Sequence, residues 1–188
     1  MSKSKKSGSA ILMYLVIAGA AVIAAICFPL YYGSFLRHPA VLWTGVTAIT
    51  VLYHLWVRLL FGVVTTHLPI RHTHAWFRER RFEPALYRLL RVKVWKDKAL
   101  TYRPEEFSLK DRTLEEIANT MAKSETDHWI NELISLSTLL FSLIWGAFPV
   151  FLITAILAML FDAQFIVIQR YNRPRIQKIL NKKRVSHV

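Results

Sequence analysis

A glutamate and a histidine stand one helical turn apart, at Glu125 and His128. Residues three positions apart lie on the same side of an α-helix, so the Glu125 carboxylate can accept the ring proton of His128 and fix its tautomer. The other ring nitrogen would then be free to act as a general base, for example on a hydroxyl group. The alternative is that His128 is a hydrogen-bonded interfacial histidine and that Glu125 pairs with a basic neighbour.

The helix that carries this pair is predicted to begin at Thr113, because Thr113 and Glu116 have the spacing of a capping box. At 100° per residue, several side chains fall within about 60° of one line and form an inward-facing stripe. The stripe contains Ile117, Ala118, Met121, Glu125, His128, Trp129 and Glu132. Polar residues therefore interrupt an apolar face, and the helix is predicted to continue into the apolar run that follows Trp129.

A second candidate is Asp162, which interrupts the last apolar run of the chain. If this run crosses a membrane, an ionisable residue within it is a functional candidate, because leaving it unpaired is costly. On a continuing helix, Gln169 and Arg173 lie on the same side as Asp162, so this face could form a polar wall leading to the cytoplasm. The alternative is a structural hydrogen bond from Asp162 to a neighbouring span.

No metal or other cofactor is predicted. A Glu-x-x-His pair occurs in di-iron sites, but these sites need a second such motif and further carboxylates. The histidines at positions 67, 72 and 74 lack the Asp or Glu spacing of a zinc or desaturase-like pattern. The single Cys27 excludes an intramolecular disulfide and a thiolate-rich metal site.

Long apolar runs must position these residues. The composition is 54% hydrophobic and 20% charged, and the apolar residues are concentrated in runs near the length of a membrane span. The predicted fold class is all-α, an integral membrane bundle of about four transmembrane helices in one domain covering residues 1–188. The spans are expected at about 11–32, 41–64, 129–146 and 149–168. A tight hairpin between Gly146 and Pro149 should join the last two. Because the helix that begins at Thr113 continues into the third span, His128 is expected near the membrane surface.

The basic residues predict the orientation. Three lie in the N-terminal tail, one (Arg37) in the first turn, thirteen between Arg71 and Lys123, and seven from Arg170 onward. By the positive-inside rule, both termini and an amphipathic insertion at about 65–128 are cytoplasmic, as is the basic tail at 169–188. The first run is longer than the roughly 7–15 apolar residues of a signal peptide, so an uncleaved anchor is expected. We therefore expect a multi-pass protein of the cell membrane.

The net charge of +13 does not predict nucleic-acid binding. The basic residues flank apolar segments, and membrane topology together with anionic lipid headgroups accounts for them. The sequence leaves the oligomeric state open.

Three motifs resemble one known family. They are Gln-Arg-Tyr-Asn-Arg-Pro-Arg from Gln169 to Arg175, Glu-x-x-His-Trp from Glu125 to Trp129, and Val-Lys-Val-Trp-Lys-Asp-Lys from Val92 to Lys98. Their order and spacing are similar to those of glycosyl-diaponeurosporenoate acyltransferases, small bacterial membrane enzymes of staphyloxanthin-type carotenoid biosynthesis. The resemblance covers roughly Phe77 to Leu180.

The resemblance implies transfer of a fatty acyl group to a hydroxyl of a lipid-linked sugar, in a glycosyl carotenoid or a related glycolipid. The partners would be this lipid acceptor and an acyl donor such as acyl-CoA. Chemistry suggests His128 as the general base and Glu125 as the residue that orients it. Arg170, Arg173 and Arg175 would grip donor phosphates with bidentate geometry. The other candidates for substrate or donor binding are Trp95, Lys96, Trp129, Asp162, Gln169 and Asn172.

Other classes of protein remain as alternatives. Arg37-His38-Pro39 suggests a membrane methyltransferase of the isoprenylcysteine type, although the triplet falls in the predicted outer turn. A non-enzymatic lipid-binding protein would use the basic motifs only to hold anionic headgroups. Glycerolipid acyltransferases use His-x4-Asp, and the nearest match here is His74 followed by Glu79.

Overall fold

The structure, a computed structural model, describes residues 8–99, 104–110 and 112–185. These residues form helices and turns with no strand among them, which confirms the all-α class. The α-helices of the described ranges are α1 (Gly8–Tyr32), α2 (Pro39–Thr66), α3 (Glu83–Leu89), α4 (Val92–Trp95), α5 (Leu114–Ser137), α6 (Ser142–Trp145) and α7 (Phe148–Val185). Short 3-10 turns occupy Ala75–Phe77, Lys96–Lys98, Pro104–Phe107 and Thr138–Phe141. The basic N-terminal tail and the last three residues of the predicted C-terminal tail lie outside the described ranges.

Three helices in the described part of the chain are long and apolar enough to cross a membrane. They are α1 from Ile11, the whole of α2, and α7 as far as Lys183. The protein is therefore a membrane protein by the length and composition of its helices. Helix α7 has 38 residues, a length of about 57 Å, which is well above the roughly 30 Å of a hydrocarbon core. Its apolar first half is long enough to span, and its basic second half extends beyond.

The third predicted span, 129–146, is not among the three candidate spanning helices of the described residues. Helix α5 ends at Ser137, a 3-10 turn follows, and α6 is a single turn, so no uninterrupted helix covers this segment. Hydroxyl groups in this segment bond to carbonyl oxygens three or four residues earlier, a pattern that often bends a helix. These bonds are made by Ser135, Ser137, Thr138 and Ser142.

The structure divides into two compact units, one up to Phe61 and one from Gly62 onward. In the first, α1 and α2 form a hairpin, and Gly45 approaches α1 so closely that an added Cβ would lie 3.0 Å from that of Cys27. Small residues permit such close helix packing in membranes. The single-domain organisation of 1–188 stays a prediction.

In the second unit, α5 packs against α7. The turn between α6 and α7 places Gly146 and Ala147 at φ values of 70° and 52°, and the chain reverses there as the Gly146–Pro149 hairpin predicted. The capping box is also confirmed. The Glu116 amide donates to Thr113 Oγ1 at 3.2 Å, and the Thr113 amide donates to Glu116 Oε2 at 2.7 Å. These bonds lower the pKa of the Glu116 carboxyl.

Candidate active site

His128 is held by a carboxylate from the facing helix. Its Nδ1 lies 2.8 Å from Asp162 Oδ1, and the Asn131 amide nitrogen donates to the same oxygen at 3.1 Å. The imidazole ring stacks on Phe165, with centroids 4.7 Å apart and planes 11° from parallel. The Asp162 side chain is 1% exposed and that of His128 is 21% exposed. A buried anion thus holds one side of an imidazole that remains accessible elsewhere.

Glu125, expected to orient His128, instead binds two arginines. Its Oε1 accepts from Arg170 Nη1 at 2.6 Å, and its Oε2 accepts from Arg173 Nη1 at 2.5 Å. Glu83 adds a second carboxylate, whose Oε1 accepts from Arg170 Nε at 2.8 Å. Two charge-assisted bonds hold Glu125 more strongly than one bond to a histidine would. The predicted role of Glu125 is therefore corrected: it belongs to a glutamate–arginine cluster of Glu83, Glu125, Arg170 and Arg173, and the carboxylate on His128 is that of Asp162.

The arginines predicted to grip donor phosphates lie within this cluster. Arg173 is fully buried, and its remaining nitrogens Nε and Nη2 donate to the Phe77 carbonyl at 3.3 and 2.9 Å. Arg170 also donates to the carbonyls of Trp76 and Arg78. All three guanidinium nitrogens of each side chain donate to the protein, so donor binding by either would require the cluster to open. Donor binding by these two arginines stays a prediction. Arg175 is exposed, stacks over the Tyr171 ring and donates to the Tyr171 carbonyl.

The cluster also ties the segment between α2 and α5 to α7. The buried Tyr87 hydroxyl donates to Glu83 Oε2 at 2.9 Å, and the Tyr87 ring meets Tyr171 edge-on at 5.4 Å. Burial and the hydrogen bond to Glu83 raise the pKa of Tyr87, so it stays a neutral donor. Glu83 and Tyr87 could not be recognised from the sequence, because their partners on α7 lie more than 80 positions away.

Two exposed tryptophans lie beside the site. Trp129 follows His128 directly, and its ring meets that of Trp76 edge-on at 6.3 Å. The Arg80 guanidinium lies 5.6 Å from the centre of the Trp76 ring. Tryptophan is enriched at membrane–water interfaces, where its apolar ring and its N–H group meet different surroundings. This pair is consistent with the boundary position predicted for His128.

The other predicted residues occupy different surroundings. Gln169 donates to Ser124 Oγ at 3.3 Å across the contact between α5 and α7. Asn172 is half-buried. Trp95 Nε1 donates to the Leu90 carbonyl and Lys96 pairs with Asp97, both within a few residues of the chain. Asn131 and Phe165 were missed, although each lies three positions after a residue that was singled out, His128 and Asp162, on the same helix.

The remaining histidines make structural hydrogen bonds, one of them to distant parts of the chain and two of them to neighbouring residues. His72 Nδ1 lies 2.9 Å from Asn119 Oδ1, and the His72 carbonyl accepts from Gln177. His74 Nδ1 accepts from the Trp76 amide, and His38 Nδ1 accepts from the Ala40 amide at the start of α2. Among the described residues, no group of three or more His, Cys, Asp or Glu side chains is arranged to hold a metal ion.

The buried carboxyl of Asp127 is expected to make the stability of the protein depend on pH. Burial raises the pKa of its carboxyl, although a hydrogen bond from Thr65 and the charge of Lys123 act in the opposite direction, and Oδ1 has no hydrogen-bond partner among the described residues. A raised pKa in the folded state means that the folded protein binds this proton more tightly. The contribution of Asp127 to stability is therefore highest when the pH is below the ordinary Asp pKa of about 4. It is lost as the pH rises from that value through the pKa of the folded state.

Asp127→Asn is therefore expected to unfold at a higher temperature than wild type at pH 7, and the gain should shrink as the pH approaches about 4. Thermal unfolding in detergent across this range measures the difference. A gain that is equal at every pH would contradict the ionisation argument, and a loss at pH 7 would contradict the burial argument.

Fold and site together define a class, an all-helical membrane protein in which a buried carboxylate of one helix holds a histidine of another. The CrtO family, described as glycosyl-4,4'-diaponeurosporenoate acyltransferase, matches residues 73–182, more than half of the 188-residue chain. The chain belongs to this acyltransferase family, which confirms the resemblance. The match includes His128, Asp162 and the whole glutamate–arginine cluster, and excludes α1 and α2. No curated protein and no solved structure is detectably similar to the chain.

Proposed function

We propose that the protein moves a fatty acyl group onto a hydroxyl of a lipid-linked sugar, with His128 as the general base. Family membership supports acyl transfer. The observation that carries the residue assignment is the 2.8 Å contact between His128 Nδ1 and Asp162 Oδ1. A buried carboxylate on one imidazole nitrogen fixes the tautomer and stabilises the imidazolium that forms during catalysis.

The proposed reaction follows from this arrangement. With Nδ1–H donating to Asp162, Nε2 takes the proton of the acceptor hydroxyl as its oxygen attacks the acyl carbonyl carbon. The tetrahedral intermediate then expels the donor's leaving group, a thiolate if the donor is acyl-CoA. That group takes the proton from His128, so base and enzyme return to their starting states. The products are an ester and the free thiol.

The geometry also favours a lipid acceptor. On α7, Asp162 lies eight residues before Arg170, about 12 Å along the axis, and it precedes the basic half of the helix. An acceptor with a long apolar tail would be held by the membrane while its sugar reaches the level of His128. A glycosyl carotenoid meets this requirement, as does another glycolipid. Trp129 and Gln169 are assigned to this acceptor side.

We assign the donor's phosphates to basic side chains outside the glutamate–arginine cluster. Arg175 is exposed. Lys96 and Trp95, together with Asn172, complete the donor side in this proposal. For the charge reasons given above, both termini and the 65–128 insertion would face the cytoplasm, where acyl-CoA is made.

Labelled substrates test the reaction class. Purified protein in detergent is incubated with total lipid extract and either a labelled acyl-CoA or a labelled methyl donor. We expect label from the acyl donor in a new glycolipid, identified by mass spectrometry. Label from the methyl donor would favour the methyltransferase alternative, and binding of lipid without any labelled product would favour the non-enzymatic one. Either result would overturn the proposal.

Asp162→Asn tests the positioning role. The amide can still accept a hydrogen bond from Nδ1–H, but it cannot stabilise an imidazolium as a carboxylate does. We expect kcat for acyl transfer to fall by about 10²-fold or more with KM nearly unchanged. The control is Thr154→Val on the same helix, since the Thr154 hydroxyl bonds to the Val150 carbonyl of its own helix. A change in KM alone would show that Asp162 acts in binding instead.

A further inference from the structure

Large apolar side chains are exposed in the segment from Trp76 to Val94, outside the candidate spans. We call these residues the apolar patch. Each has between 43% and 80% of its surface exposed, and they are Trp76, Phe82, Leu89, Leu90 and Val94. Five such residues within nineteen positions are unusual for a surface that faces only water. The patch therefore points to a partner.

Helix α3 turns part of this patch away from the protein. Phe82 and Leu89 are seven positions apart, so they lie on the same side of the helix. The opposite side carries Glu83 and Tyr87, which are both buried. Glu83 is bonded to Arg170, and Tyr87 packs on Tyr171, so contacts with α7 hold α3 in this orientation. The outward position of the apolar side is thus imposed by the glutamate–arginine cluster.

The charge around the patch is strongly positive. Seven exposed basic residues lie between positions 76 and 98, against the exposed acidic residues Glu79 and Asp97. The basic residues are Arg78, Arg80, Arg81, Arg88, Arg91, Lys93 and Lys98. Arg81 and Arg88 each immediately precede a patch residue. Apolar side chains flanked by arginine and lysine are typical of helices that lie in a membrane interface.

The level of the segment along α7 is also known. Glu83 binds Arg170, which is the first basic residue after the apolar half of α7. An arginine just beyond a spanning segment lies near the headgroups. The segment bonded to it is therefore held close to the same boundary.

We propose that residues 76–98 form an in-plane membrane-binding surface, with the apolar patch inserted among lipid acyl chains and the basic residues on anionic headgroups. The partner is the anionic leaflet of the membrane that α7 enters. This surface would hold the segment at a defined depth and keep the glutamate–arginine cluster shielded from bulk water. The inference stands independently of the acyl-transfer reaction.

A spin label at Leu89 tests the insertion. Cys27 is the only cysteine, so Cys27→Ser gives a background in which Leu89→Cys and, as a control, Glu115→Cys can be labelled singly. Glu115 is exposed in the first turn of α5, ten residues or about 15 Å before Glu125. In nanodiscs of phosphatidylcholine and phosphatidylglycerol, we expect the Leu89 label to collide several-fold less with a water-soluble nickel chelate than the Glu115 label does, and more with oxygen. Equal nickel access at both sites would overturn the proposal.

Lipid charge provides the second measurement. Shielding of the Leu89 label should increase when phosphatidylglycerol is added to phosphatidylcholine, and Arg81→Gln with Arg88→Gln should remove most of this increase. The matched control, Lys178→Gln with Lys182→Gln on α7, should keep it. If the shielding of the Leu89 label does not change with the phosphatidylglycerol content, the anionic-lipid assignment is overturned. Dipolar broadening between Leu89 labels would show a contact between two copies of the chain and would overturn membrane insertion.

Discussion

His128→Gln is expected to insert into the membrane and fold normally yet lose acyl transfer by about 10²–10⁴-fold, the range that general-base catalysis contributes. Glutamine keeps an N–H group that can donate to Asp162, so the buried carboxylate retains a partner. It has no nitrogen that can take a proton at neutral pH. The loss should therefore fall on kcat, measured as labelled glycolipid formed at saturating donor and acceptor.

The matched control is His67→Gln. His67 is exposed, and its Nδ1 contacts the Val63 carbonyl within the last turn of α2. This variant should keep wild-type activity. Full activity in His128→Gln would remove His128 as the base, whereas a protein that fails to reach the membrane would be recognised by its expression and elution profile before any assay.

Glu125→Gln should produce the largest loss of stability. It removes the anion that bonds to both Arg170 and Arg173 and leaves Arg173 buried beside a neutral amide. Removing one partner from a buried ion pair costs about 3–5 kcal/mol. In a chain of this length that corresponds to a fall in Tm of roughly 6–20 °C, measured by thermal unfolding in detergent. Glu115→Gln, at an exposed first-turn glutamate, should leave Tm nearly unchanged.

A double variant separates pairing from packing. Glu125→Leu with Arg173→Met removes both charges, so it should be less destabilising than the sum of the two single variants. The remaining Arg170 still has Glu83 as a partner. If the two single effects simply add, the ion pair contributes no coupling, and the cluster is held by packing alone.

The apolar helices and the ends of some elements could be predicted from the sequence, because long apolar runs and local capping and turn residues indicate them. Apolar runs predicted α1, α2 and the first half of α7, and the start of α5 follows from the Thr113–Glu116 capping box. The reversal at Gly146 was predictable because the residue allows a positive φ. These signals depend on neighbours within a few positions, and one sequence displays them directly.

The third predicted span is not among the three candidate spanning helices of the described residues. Residues 129–146 are apolar enough on average, but the backbone changes to 3-10 geometry at Thr138–Phe141, where serine and threonine hydroxyls bond to nearby carbonyls. Average hydropathy does not register such bonds. Their effect on backbone geometry is visible only when the individual side chains are placed.

The pairing of side chains within the site could not be predicted from the sequence either. Helical spacing correctly brought Glu125 and His128 to one side of α5, but it could not show which residues of α7 face them. Arg170 and Arg173 bind Glu125, and Asp162 binds His128, at sequence separations of 34 to 48 residues. The alternative in which Glu125 pairs with basic residues is the one that the structure contains.

The glutamate–arginine cluster also has a consequence for biosynthesis. Glu83 and Glu125 are translated 87 and 45 residues before Arg170, so a ribosome has made both acidic side chains well before their partner exists. A chain interrupted before α7 exposes two carboxylates at a place where the finished protein has none accessible, and carboxylates are costly to keep away from water without a counter-charge. Completed and interrupted chains therefore differ in surface charge. Cellular proteases can act on this difference before an incomplete chain accumulates.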